Sequence, residues 1–393
     1  MNAESMRAPA EVGRAARAAL VAGIVGLVLC GAGGAINSEQ FFRSWLVAWV
    51  FWTGISLGCL GILMIQHLTG GAWGIVIRRP LEAAARTLPL AALLFVPLLA
   101  GLRSLYPWAR PELVAADAVL KQKALYLNVP FFITRAVIFF AAWILIAFLL
   151  TRWSRAQDGG RDPGAAGRMG ALAAPGILVY VLTMTFASVD WIMSLEPHWY
   201  STLYGGLIIV GQGLAALCFT IWVLCWLSQR APLADVVKKR HLHDLGKLLL
   251  AFTMVWSYFA FSQFLIIWAG NLPEEIPWYL KRLAGGWQWV ALALVLFQFA
   301  APFLLLLSAS LKKDAKLLAR VAALAVVMRL VDTYWTIIPA FRPGAIGVHW
   351  LDVVAPVGIG GIWLFVFLRQ LERAPLVPIG EPELAEALGE AHA

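Results

Sequence analysis

A guanidinium and a carboxylate, Arg329 and Asp332, stand one helical turn apart inside the otherwise apolar run VMRLVDTYWTIIPAF. A spacing of three residues puts both on one helix face, where they can neutralise each other. In hydrocarbon either charge is expensive unless it pairs or meets water, and ionisable groups within a membrane mark ion or proton routes. The chemistry on offer is proton uptake and release at Asp332 with Arg329 as counter-ion. A plain ion pair that staples two helices is the competing reading of the same residues.

Two further runs carry chemistry. SVDWIMSLEPHWYSTLYG, from Ser188 to Gly205, crowds Asp190, Glu196 and His198 into a short connection that itself holds no Lys or Arg. Histidine titrates near neutrality and can exchange protons with carboxylates, so this segment reads as a proton exit or as a docking surface for a partner. An aromatic belt with capping carboxylates would look the same in sequence. HDLGKLLLAFTMVWSYFAFSQFLIIWAGNLPEE, from His243 to Glu275, places Tyr258, Ser262 and Gln263 within an apolar stretch. Such groups more often bond between helices than conduct. With a rise of about 1.5 Å per residue, Arg329, Asp332, Arg135 and Gln263 fall in the outer half of their spans. Asp190 and Asp352 lie nearer that surface. The other half offers mainly Tyr180, Thr253, Ser257, Ser308 and the boundary residue His67. This is the pattern of an outward half-channel.

The elements that must hold these residues follow from composition. Hydrophobic residues are 61% of the 393 and charged ones 13%, about half the charge usual in soluble domains. The chain is therefore an all-α polytopic membrane protein. Spans of the required length are expected at 18–36, 45–66, 88–105, 130–150, 171–190, 203–228, 247–269, 286–311, 317–338 and 350–369. The third is the weakest, since Pro89 and Pro97 interrupt it. The expected organisation is an N-terminal segment over 1–17, a helical domain over 18–370 and a tail over 371–393. No soluble domain is expected. The Gly-rich, charged RAQDGGRDPGAAGR would divide a front from a rear group of helices.

The net charge of +9 is accounted for by topology rather than by nucleic acid. Arg14, Arg17, Arg78, Arg79, Arg86, Arg152, Arg155, Arg161, Arg168, Arg230, Lys238, Lys239, Arg240, Lys312, Lys313 and Lys316 fall on one side. The opposite connections carry far fewer, chiefly Arg43, Arg110, Lys121, Lys123, Lys281, Arg282 and Arg342. The positive-inside rule then places both termini in the cytoplasm. The first apolar run is expected to stay as a span, because removing it as a signal peptide would spoil the alternation.

Cys30, Cys59, Cys218 and Cys225 all lie in apolar spans, without a CxxC or CxxCH. Neither covalent haem nor an iron–sulfur cluster is expected. Haem b would need paired histidines at matching depth. The sequence instead puts His67 at a helix end, His198 and His349 at the outer surface, and His241, His243 and His392 on the cytoplasmic side. No metal and no catalytic residue is assigned to this chain.

Three of these segments also carry a resemblance. DWIMSLEPHWYST, the stretch from DLGK to NLPEE, and RLVDTYW resemble the second large membrane subunit (ActF) of bacterial alternative complex III, in the NrfD-like, polysulfide-reductase-like membrane family. The likeness spans about Gly70 to Gln370. It implies ten helices arranged as two four-helix bundles plus two peripheral helices, in the bacterial inner (cytoplasmic) membrane. The implied partners are an NrfD-like sister subunit, an iron–sulfur protein, multihaem and monohaem cytochromes c, small membrane subunits and lipid. The haem c and iron–sulfur clusters would reside in those partners, while quinone or quinol could visit this chain. The implied activity is that of a quinol:cytochrome c oxidoreductase, respiratory or photosynthetic. The sister subunit would oxidise quinol, and this one would contribute proton translocation and scaffolding.

The mechanism expected on that basis runs from Asp332, with Arg329 as counter-ion, outward through Asp190, Glu196 and His198, with Arg135, Tyr258 and Gln263 as further proton-transfer candidates. Other readings stay open. The chain could bind quinone and transfer electrons in its own right, anchor the complex passively, or act alone as a transporter.

Overall fold

Backbone polar groups in a bilayer have no water to bond, so apolar runs of this length satisfy themselves as helices. The computed structural model describes residues 5–159, 164–381 and 384. Ten helices long and apolar enough to cross a membrane occur among the described residues, and no strand does. They are α1 (Ala10–Ile36), α2 (Ser38–Thr69), α3 (Ala72–Ala85, resuming at Leu88–Ala100), α4 (Val129–Asp158) and α5 (Ala165–Trp191). They continue with α6 (Tyr204–Leu227), α7 (Lys239–Gly270), α8 (Trp287–Leu307), α9 (Ala315–Ile337) and α10 (Trp350–Glu372). The protein is an all-α polytopic membrane protein.

Helices α2 to α5 pack as one bundle and α6 to α9 as a second, joined chiefly where α2 meets α6. Helices α1 and α10 lie against each other along the flank of α2. Helix α2 is the axis of the molecule, 89% of its apolar window being buried, against 22% for α1. Glycine sets both close crossings, as expected where van der Waals contact drives helix association. A Cβ on Gly26 would lie 2.5 Å from the Gly358 Cα across the α1–α10 seam, and one on Gly58 would lie 2.1 Å from the Gln212 carbonyl oxygen across the α2–α6 seam.

Several expected boundaries shift. The third span begins at Ala72 rather than at residue 88, so Arg78, Arg79 and Arg86 belong to a helix and its break, not to a basic connection. Their side chains explain why. Glu82 lies 3.2 Å from the Arg78 Nε and 2.7 Å from the Arg79 Nη1, Asp158 pairs with Arg79, and Glu381 pairs with Arg78. The density of charge that reads as a loop is a neutralised cluster inside the protein. Helix α7 starts at Lys239, eight residues before the expected boundary at residue 247. The tail is not free up to residue 381. The Leu376 N–H donates to the Met6 carbonyl at 2.8 Å, the Ile379 N–H donates to Asp158 at 3.0 Å, and Val377 is buried. Residues 160–163, including Arg161, and His392 lie outside the described residues.

Candidate proton site

Helix α9 carries Arg329 and Asp332 on one face, and the two side chains form an ion pair. They are 9% and 14% exposed, so the pair is largely withdrawn from solvent but not sealed. By helix rise it lies about 8 Å from the end of α9 on the face opposite the termini. The guanidinium has neighbours on three other helices. Gly211 of α6 makes room for it, since a Cβ there would stand 2.3 Å from the Arg329 Nη2. The Trp256 ring of α7 lies 5.8 Å from its central carbon.

The third neighbour is Gln298 of α8, fully buried. With its amide carbonyl turned to the guanidinium, it accepts from the Arg329 Nη1 at 3.0 Å and donates to the Met328 carbonyl at 2.9 Å. Residues Leu294–Ala300 form a π-helical turn inside α8. Pro302 supplies a cause, because it has no N–H to give the Gln298 carbonyl in an α-helix. Wide turns of this kind inside α-helices recur at functional sites. Sequence reasoning missed Gln298. The available signal was a glutamine in an apolar span, four residues before a proline.

The pair sits at the wall of a cavity of about 810 Å³ between α6, α7, α8 and α9. Its lining is mostly aromatic and apolar, including Tyr204, Tyr279 and Trp335, with Asp332, Arg329 and Gln212 as polar points. Gln212 accepts from the Tyr180 hydroxyl at 2.9 Å, which extends the polar set to α5. Tyr258 also lines the cavity and is 66% exposed. Gln263 is buried and accepts from the Ser201 hydroxyl at 3.1 Å.

Asp190, Glu196 and His198 each engage a group from another segment. Arg135 grips Asp190 from α4 with two bonds, Nε to Oδ2 and Nη2 to Oδ1, both 2.8 Å. Its remaining Nη1 donates to the Tyr126 carbonyl at 3.0 Å, and its central carbon lies 3.8 and 4.2 Å from the Tyr126 and Phe131 ring centroids. That arrangement locks α4 to α5. Arg135→Ala is expected to destabilise the protein by about 3–5 kcal/mol, because it strands a buried carboxylate. Thermal unfolding in detergent measures it, with Arg135→Ala/Asp190→Asn recovering much of the loss.

Glu196 is held by Lys281 at 2.7 Å and Arg282 at 2.8 Å, both from the connection between α7 and α8. The exposed His198 bonds Asp117 through Nε2 at 2.7 Å. The Leu120 N–H above all, helped by His198 and the Val119 N–H, holds the Asp117 carboxyl below the usual carboxylate range. Asp352, at the start of α10, accepts from Ser44 at 2.5 Å, Gln40 at 2.9 Å, Tyr334 at 3.0 Å and the His349 N–H at 2.8 Å. Ser44 and Gln40 belong to α2 and Tyr334 to α9, so the carboxylate ties both helices to α10.

The site thus reduces to one ion pair at a cavity wall, set among several saturated staples. Among the described residues, Asp332 combines a buried counter-ion with an adjoining void. No protein-family model and no curated protein matches the chain, so its chemistry is read from this geometry and from the motifs in its sequence.

Proposed function

We propose that the chain is an integral membrane subunit of a bacterial quinol:electron-acceptor oxidoreductase of the alternative complex III type, and that Asp332 exchanges protons with the outer side during turnover. Both termini would then lie in the cytoplasm of a cell whose inner membrane holds the complex. One observation supports the proton role above the others. The Arg329–Asp332 pair borders a cavity of about 810 Å³ instead of dry packing. A pair kept only as a staple gains nothing from such a void, whereas a carboxylate that changes protonation needs a space that water or a proton carrier can reach. The three motif runs support the assignment to the complex.

In this reading Asp332 holds or yields the proton, Arg329 lowers the cost of the charged form, and Gln298 keeps the guanidinium in place when the carboxyl is neutral. Quinol oxidation in the sister subunit would drive the change through the field or geometry around the bundle. The chain itself would bear neither haem nor cluster.

The assembly is tested by tagging the full chain and purifying it from native membranes in mild detergent. Co-purification of an iron–sulfur protein, cytochromes with haem c bands and a second NrfD-like chain is the expected result. A monodisperse single chain without haem would overturn it.

A further inference from the structure

A short helix, Ile276–Arg282, crosses the end of the cavity on the face opposite the termini and supplies Trp278 and Tyr279 to its wall. Backbone turns in the left-handed region flank it on both sides. Asn271, at φ 49°, ends α7, while Gly285 at φ 61° and Gly286 at φ 98° lead into α8. Glycine takes such angles without strain, and the Gly285 carbonyl accepts from the Ile346 N–H at 2.8 Å, which anchors the α8 end of the connection.

The helix is held down by one concentrated set of contacts. Trp278 stacks on Trp199 with ring centroids 4.9 Å apart and planes at 19°. Arg282 is 1% exposed, and its Nη2 reaches both Glu196 Oε2 at 2.8 Å and the Thr336 carbonyl at 2.7 Å. Lys281 donates to the other oxygen of Glu196 at 2.7 Å. One carboxylate therefore serves as counter-ion to a buried guanidinium and to a half-exposed ammonium. It also links the end of α5 to this helix and, through Thr336, to the helix that bears Asp332. A buried charge that loses its only close counter-ion is strongly disfavoured.

We propose that the helix Ile276–Arg282 is a lid over the outward end of the Asp332 cavity and that Glu196 is its latch. Glu196 thereby acts as a positioning residue and not as a carrier in a proton line. The purpose of the lid rests on the reading of Asp332 given above, but its mechanics do not. Closed, it separates the cavity from the aqueous phase on that side. With the charge of Glu196 removed, the attraction that seats Arg282 is lost, and the helix lifts about its anchored end at α8.

Accessibility of the cavity tests this in the full chain, within its native membrane. Thr333 lines the cavity, and the four native cysteines are buried, so Thr333→Cys reports on the void. A membrane-impermeant, cationic methanethiosulfonate is added to sealed vesicles from the side facing the lid. Slow labelling is expected with the latch intact. Glu196→Gln, which keeps the shape and removes the charge, is expected to raise the rate about tenfold or more, as lid opening exposes a site. Lys281→Gln, which removes one half-exposed cation, is expected to give a smaller rise. Equal labelling after denaturation and unchanged elution of the assembled protein confirm that each variant is folded. If Glu196→Gln does not assemble, Lys281→Gln decides alone.

Rates that stay together in every assembled variant would overturn the latch. Unlatched labelling alongside unchanged proton release in Asp332→Asn would uphold the lid and remove the proton role. The reverse combination would uphold the proton role and remove the lid.

Discussion

Asp332→Asn, made in the intact complex, is expected to lower the protons released per electron while quinol oxidation continues. Asparagine keeps the volume and can still bond Arg329, so the cavity wall and the position of α9 are retained. What disappears is the ability to take and lose a proton. The stoichiometry is then expected to fall to that of quinol oxidation itself, about one proton per electron, because in the function proposed above the redox chemistry would belong to the cofactors of partner subunits. Reconstituted vesicles with an external pH indicator and a quinol pulse measure it. An unchanged ratio with the variant chain present at full occupancy would discard the proton role and leave Arg329–Asp332 as a staple. Asp332→Glu offers a control, since it keeps the titratable group and is expected to restore part of the ratio.

Arg329→Ala is expected to have the largest effect on stability. The substitution leaves Asp332 without its counter-ion and the Gln298 carbonyl without its donor at 3.0 Å. It also empties the space that Gly211 leaves for the guanidinium. Removing one partner of a buried pair typically costs about 3–5 kcal/mol. The double variant Arg329→Ala/Asp332→Asn is expected to recover a large share of that loss, because the uncompensated charge is gone. Unfolding in detergent, followed by tryptophan fluorescence, gives both values. A double variant no more stable than Arg329→Ala would mean that lost packing, not stranded charge, sets the cost. Electron transfer and proton release in the double variant would then separate the pair's electrostatic role from its packing.

These two variants touch a feature that is legible in the linear sequence. Arg329 and Asp332 are three residues apart, so helix periodicity alone brings them together, and the pair is present in the structure. The saturated pairs were not legible in the same way. Asp190 finds Arg135 at a sequence distance of 55, Glu196 finds Arg282 at 86, and Asp352 finds Gln40 at 312. Each depends on which helices or connections are neighbours and how far each slides along its axis. An outward line through Asp190, Glu196 and His198 looked natural because they are close in sequence. The partners that occupy them come from elsewhere.

The same distinction explains the third span and Gln298. Arg78 and Arg79 resemble an exposed basic connection until Glu82, Asp158 and Glu381 are brought around them. Gln298 resembles a chance polar residue until a π-helical turn and the side of α9 give it two partners.

Taken alone, the order of residues determined that this is an all-α polytopic membrane protein, with an ion pair on a helix face away from the termini. Those outcomes depend on hydrophobic length and on the period of a single helix, which are local properties. Only the tertiary structure decided that a cavity adjoins Asp332, that Gln298 braces its counter-ion, and that Glu196 bears on a helix across the cavity end. Voids and long-range ion pairs arise from the mutual placement of several helices, and no single segment encodes that placement.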